Sequence, residues 1–185
     1  MRLSGGLDLT AEKVKRCTRC RLHENRKNAV PGEGDDDPAI LLIGEAPGEN
    51  EDIEGRPFVG RAGELLEEIL ESAGLSREEV FITNVVKCRP PDNRDPRKDE
   101  IEACNPYLEK QIEILDPEVI VSLGNHATET LIGKSGIGDL HGEELEYDGR
   151  SIIPMYHPAA GLYNPNLKET MIDDMKALKK YREGQ

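Results

Sequence analysis

Four cysteines and one histidine are the groups in this 185-residue chain whose types and spacing most readily suggest chemistry. Cys17 and Cys20 stand in a C-x2-C spacing, which lets two thiolates grip one metal centre. Cys88 and Cys104 follow much later, and both pairs have basic neighbours (Lys15, Arg16, Arg19 and Arg21; Lys87 and Arg89), which favour the thiolate form. Four thiolates can hold zinc or an iron–sulfur cluster, and spacing does not choose between them; four unconnected thiols are the competing reading. His157 closes the apolar run "SIIPMY" and is followed by Pro158. A single histidine at a strand end is more often a hydrogen-bonded structural residue than a reactive one. Its weight therefore depends on what else reaches the same place.

The elements that would position these groups follow from the pattern of apolar residues. Near-continuous apolar runs occur at 39–44 ("AILLIG"), 80–86 ("VFITNVV"), 119–124 ("VIVSLG") and 151–156 ("SIIPMY"). Such runs suit parallel strands buried on both faces. Helical patterns alternate with them at 61–74, 97–115, 125–133 and 166–182; the first places Leu65, Leu66, Ile69 and Leu70 on one face and closes on Gly74. Alternating strand and helix predicts an α/β/α layered fold around a parallel sheet. Open parallel sheets take ligands outside the carboxyl ends of their strands. Here those ends carry Glu45, Asn84, Gly124-Asn125 and His157, which places His157 among partners on one rim.

Composition bounds the rest. The length fits one domain with a sizeable core. No apolar run approaches the ~18 residues of a spanning helix, and the N-terminus has no apolar signal segment, so a soluble cytoplasmic protein is expected. A net charge of −13 argues against indiscriminate binding to nucleic acid. Acids gather in "GEGDDDP" (32–38) and along 63–72, whereas bases gather near the first cysteine pair and at Lys87, Arg89, Arg94, Arg97 and Lys98.

Three blocks, "LLIGEAPGENEDIEGRPFVGRAGELL" (41–66), "TNVVKCRPPDNRDPRKDEIEAC" (83–104) and "HPAA" (157–160), together with Cys17 and Cys20, resemble the uracil-DNA glycosylase superfamily. The resemblance is greatest to its family 4, the iron–sulfur-containing, thermophile-type enzymes, and it covers nearly the whole chain. It implies a three-layer α/β/α fold with a central four-stranded parallel sheet, as one domain over 1–185. It further implies a 4Fe–4S cluster on Cys17, Cys20, Cys88 and Cys104, joining the N-terminal segment to residues 88–104, with zinc the lesser alternative. The activity implied is removal of uracil from single- or double-stranded DNA, leaving an abasic site for base excision repair. A monomer acting beside repair-pathway proteins is the expected context, with no membrane involved.

The roles the resemblance implies make chemical sense. A flipped uracil offers an N3–H donor and an O4 acceptor, which cytosine reverses, and the Asn84 amide can match uracil alone when its orientation is locked. Phe58, in the Gly/Pro-rich "GRPFVG", would stack on the base, while Phe81 reads as core. His157 would donate to O2 as charge collects there. Glu45 would position the attacking water, and Glu51, Gly44 and Ala46 would line the uracil site. Other families carry Asp or Asn where this chain has Ala46. Leu162 and Tyr163 would enter the minor groove, although relatives commonly show Leu-Leu-Arg where this chain has Gly161-Leu162-Tyr163. Arg89 and Arg94, and the backbone at Gly124 and Asn125, would contact phosphates. A cross-linking relative would carry a histidine within 89–103, and none is present. A non-enzymatic DNA-binding or redox-sensing α/β module with a cluster or zinc would keep the cysteines but would not require Asn84, Phe58 and His157 together.

Overall fold

The computed structural model describes residues 4–182. Its strands are β1 (Glu33–Gly34), β2 (Ile40–Gly44), β3 (Phe81–Asn84), β4 (Val119–Leu123), β5 (Leu145–Tyr147) and β6 (Arg150–Met155). They form one sheet in the order β1-β3-β2-β4-β6-β5. The inner four strands are mutually parallel, in the register Gly44 to Asn84, Leu41 to Ile120 and Ile120 to Ile152. The expected four-stranded parallel sheet is thus the centre of a six-stranded one. β1 and β5 add antiparallel edges against β3 and β6. These edges are two and three residues long and only partly buried, so they leave no apolar run in the sequence.

Helices cover both faces: α1 (Ser4–Lys15), α2 (Glu49–Glu54), α3 (Arg61–Ser72), α4 (Lys98–Leu115), α5 (Asn125–Ile132), α6 (Ile137–Leu140), α7 (Pro158–Gly161), α8 (Pro165–Lys176) and α9 (Lys179–Arg182). Period-2 alternation sorts the strand residues between the two faces. Ile40, Leu42, Ile82, Val121 and Ile153 meet α3 and α8, whereas Leu41, Ile43, Phe81, Ile120 and Ile152 meet the α4 side. Leu65, Leu66, Ile69 and Leu70 of α3 are buried, as their spacing predicts. Gly74 ends that helix at φ +72°, where the Leu75 N–H reaches the Leu70 carbonyl and its own N–H reaches Glu71, a Schellman closure. The helix expected over 166–182 is interrupted at 177–178, giving α8 and α9. Among the described residues no helix is long and apolar enough to cross a membrane.

Candidate active site and thiolate centre

At the carboxyl ends of the inner strands lies a pocket of about 440 Å³, lined among others by Glu45, Ala46, Glu51, Phe58, Asn84 and His157. Of the residues expected on one rim, Glu45, Asn84 and His157 line the pocket, whereas Gly124 and Asn125 do not. Asn84, the last residue of β3, is 2% exposed, yet among the described residues no protein group hydrogen-bonds its side-chain amide. The residue is buried, but its amide opens on the pocket, where a ligand can reach both its donor and its acceptor. Gly44, the last residue of β2, makes room for it. A Cβ there would lie 2.5 Å from Asn84 Oδ1 and 2.7 Å from Phe58 Cζ.

Phe58 is buried and holds a left-handed backbone at φ +49°, an unfavourable region for a bulky side chain. Arg77 enforces it. This buried guanidinium donates to the Phe58 carbonyl at 2.7 Å and to the Pro57 carbonyl, and is balanced by Glu33 at 2.8 Å. The Phe58 and His157 rings lie 5.6 Å apart, tilted by 32°.

His157 follows β6 and caps the short α7, whose first residue is Pro158. Its Nδ1 accepts the Ala159 backbone N–H at 3.1 Å. Burial lowers the imidazole to about 4, opposed by the nearby Glu51 carboxylate, so the ring is neutral at physiological pH. Gly124, at φ +91°, lets the ring base sit close, since a Cβ there would approach His157 Cβ to 3.0 Å. Glu51 accepts the backbone N–H groups of Val59 and Gly60 at 3.1 and 3.2 Å, tying the pocket to the start of α3.

Glu45 is half-buried, and burial raises its carboxyl above the ordinary value, with Asp95 raising it further and His126 opposing. Asp95 and His126 are pocket-side groups that the sequence reading missed; with Glu45 their ligating atoms lie within 4.8 Å of one another. They come from the turn after β2, the loop before α4 and the start of α5, so no local spacing announces them.

Several residues expected to contact phosphates also make bonds within the protein. The Arg94 guanidinium grips the fully buried Glu100 through two bonds of 2.9 and 2.7 Å. Arg89 donates to Asn93 at 2.7 Å. The Gly124 N–H goes to the Met155 carbonyl, and Asn125 Oδ1 accepts from Gly136 and Ile137. Leu162 is half-buried against the core, whereas Tyr163 is 80% exposed with the Arg61 guanidinium 6.0 Å from its ring centre.

On the α4 side, all four cysteines line a second small cavity. Donors surround them: Arg26 reaches Cys88 Sγ at 3.0 Å, the Lys87 backbone N–H reaches Cys104 Sγ at 3.3 Å, and the Arg19 N–H reaches Cys17 Sγ at 3.5 Å. At Cys20, Cys88 and Cys104 the basic surroundings do not lower the thiol as expected. Burial outweighs them, raising Cys20 and Cys88 and pushing Cys104 up to about 11. No three of the four sulfurs come within 4.8 Å of one another. That spread is wider than the ~3.8 Å edge implied by a tetrahedral site with Zn–S bonds of about 2.3 Å.

The six-stranded α/β sheet thus carries an open pocket at its carboxyl rim and a four-cysteine cavity on its α4 side, and sequence comparison supplies the class. Residues 31–179 match the uracil DNA glycosylase superfamily, and the chain belongs to it. It is similar to the type-4 uracil-DNA glycosylase of Saccharolobus solfataricus, with 52% identity over 94% of this chain and 85% of that one. The type-4 uracil-DNA glycosylase of Thermotoga maritima is 45% identical over 95% of this chain and 94% of its own. A solution structure from Methanosarcina acetivorans shares the fold with a TM-score of 0.52 at 14% identity, covering 83% of this chain and 98% of that one.

Proposed function

We propose that this protein is a uracil-DNA glycosylase that hydrolyses the bond between uracil N1 and the deoxyribose C1′, leaving an abasic site for base excision repair. The observation that carries this reading is the buried Asn84 amide, without a protein partner, on a pocket whose other walls are an aromatic ring and a neutral imidazole. A flipped uracil would stack on Phe58 and give its N3–H to Asn84 Oδ1 while O4 accepts from Nδ2. Cytosine would leave both amide groups facing their own kind, which disfavours it strongly. As the C1′–N1 bond breaks, its electron pair stays with the base and collects on O2. The Nε2–H of His157 stabilises that charge. Water then adds to C1′, and Glu45, ionised above its raised pKa, places the water and takes its proton. Gly44 and Ala46 form the pocket edge, and Glu51 holds the Phe58 loop against the start of α3.

Cys17, Cys20, Cys88 and Cys104 would hold a 4Fe–4S cluster, which the four-thiolate set and its wide spread suit better than zinc. Its contribution is structural: it would fasten the N-terminal segment to residues 88–104 within one domain. Uracil-containing DNA, single- or double-stranded, is the partner, with Tyr163 better placed than Leu162 to fill the vacated stack. The protein would act as a cytoplasmic monomer beside other repair proteins. The relatives' names favour the enzyme over a non-catalytic module.

The test is alkaline strand scission of a labelled oligonucleotide holding one uracil. Scission at uracil but not cytosine, with His157→Ala and Asn84→Ala each slowed about 10²–10³-fold, is the expected result. No scission by cluster-loaded protein would return His157 to an ordinary capping role.

A further inference from the structure

Lys87 is among the largest fully buried side chains in the protein, at 1% exposure. Its ammonium has three protons and finds three acceptors: Thr83 Oγ1 at 2.5 Å, the Asn84 carbonyl at 2.7 Å and Gln111 Oε1 at 2.6 Å. Among the described residues no carboxylate pairs with it, and the acidic group nearest in effect is Cys104. A buried lysine head with no carboxylate partner is a poor way to stabilise a core, which an apolar side chain would fill at less cost. The acceptors show what the head group organises. Thr83 and Asn84 are the last two residues of β3, and Gln111 lies on α4, seven residues beyond Cys104 on the same helix. Gln111 Nε2 and the Thr83 hydroxyl both donate to the Pro31 carbonyl, closing the network. On its other side, the Lys87 backbone N–H donates to Cys104 Sγ, and the next residue is Cys88.

We infer that Lys87 is a positioning residue that locks the uracil-reading Asn84 in place and ties it to the thiolate centre. This rests on the glycosylase reading given above and deepens it. The Asn84 side chain has no hydrogen bond of its own within the protein, so its aim depends on its backbone. Lys87 holds that backbone at the carbonyl, while the helix carrying Cys104 holds Lys87. A shift of about 1 Å in such a group costs on the order of 10² in rate.

The experiment uses the cluster-loaded full chain and the variant Lys87→Met, with visible absorption confirming the cluster. Three quantities are read: kcat/KM on uracil-DNA, the inhibition constant of free uracil, and the affinity for abasic-site DNA. The first two engage Asn84, whereas the third does not. The expected result is a fall of kcat/KM by about 10²-fold and a weakening of free uracil by about tenfold, with abasic-DNA affinity within twofold. Lys87→Met with cluster intact and both uracil readouts unchanged overturns the inference. So does a uniform loss across all three, which marks a general structural role. Should Lys87→Met not fold, Thr83→Val removes one acceptor at constant shape and Thr83→Ser restores it. Weaker uracil binding in Val, recovered in Ser, supports the inference, and equal binding in both overturns it. Wild-type protein inactive on uracil-DNA would remove the glycosylase reading itself. Active wild type with an indifferent Lys87→Met removes only the positioning role.

Discussion

The Nδ1 atom of His157 accepts the backbone N–H of Ala159, which is two residues further on, and this bond leaves the ring proton on Nε2. Burial then holds the ring neutral down to about pH 4, well below the ordinary 6.5. Because the fold disfavours the charged form, the stability this histidine contributes is complete above pH 6.5. It is lost as pH falls from there towards 4. We expect an NMR titration to show His157 unprotonated at pH 5.5, and kcat/KM to carry no His157 limb near 6.5. An ordinary titration at 6.5 would show that burial does not hold this ring neutral.

Glu45 behaves in the opposite sense. Its carboxyl is raised first by burial and then by Asp95, so the ionised form persists only above the ordinary 4.5. Activity that needs the carboxylate falls as pH drops through this raised value. Replacing Asp95 with Asn removes a like charge and should move the acid limb of the pH–rate profile downwards, whereas Glu45→Gln should abolish the limb together with most of the rate. An Asp95→Asn profile superimposable on wild type would separate the two carboxylates.

Gly44 is predicted to be intolerant of a single methyl group. The added Cβ meets Asn84 Oδ1 at 2.5 Å and Phe58 Cζ at 2.7 Å, and neither can retreat without leaving the pocket. Gly44→Ala should cost about 1–3 kcal/mol in urea unfolding and about 10²-fold in kcat/KM. Retained activity would mean that Asn84 and Phe58 can move apart freely.

Arg77 stands outside the pocket, yet its loss should be felt there. Arg77→Met leaves the Pro57 and Phe58 carbonyls without their donor and Glu33 with only Arg56. Destabilisation of about 3 kcal/mol is expected by urea titration, and base stacking should suffer as the left-handed Phe58 backbone relaxes. A variant as stable as wild type would show that the loop is held by packing alone.

The inner strands were legible because β2, β3 and β4 are buried on both faces and so write near-continuous apolar runs. β1 and β5 carry no such run, and α1, "SGGLDLTAEKVK", opens on two glycines that hide its helical period. Asn84 and His157 stood at strand ends, where element order brings them together, and Phe58 was marked by its Gly/Pro-rich loop and the resemblance. Asp95 and His126 were not marked, because the approach of the loop before α4 to the start of α5 is a property of the folded chain. Arg94 shows the same limit from the other side. Its charge suggested phosphate, and nothing in the sequence announced that its planar fork also grips Glu100, buried four residues short of Cys104. Lys87 read as one more base beside a cysteine, and only burial reveals it as a junction.

The placing of the cysteines also bears on how the molecule wears out. Cys17 and Cys20 precede β1, β2 and β3, and Cys88 and Cys104 follow them, so a cluster on all four encloses half the sheet in one covalent ring. With such a cluster in place, full extension of the chain would require it to break, and its loss would make unfolding irreversible. Durability would then be a lifetime rather than an equilibrium, and the apparent melting temperature would climb with the heating rate.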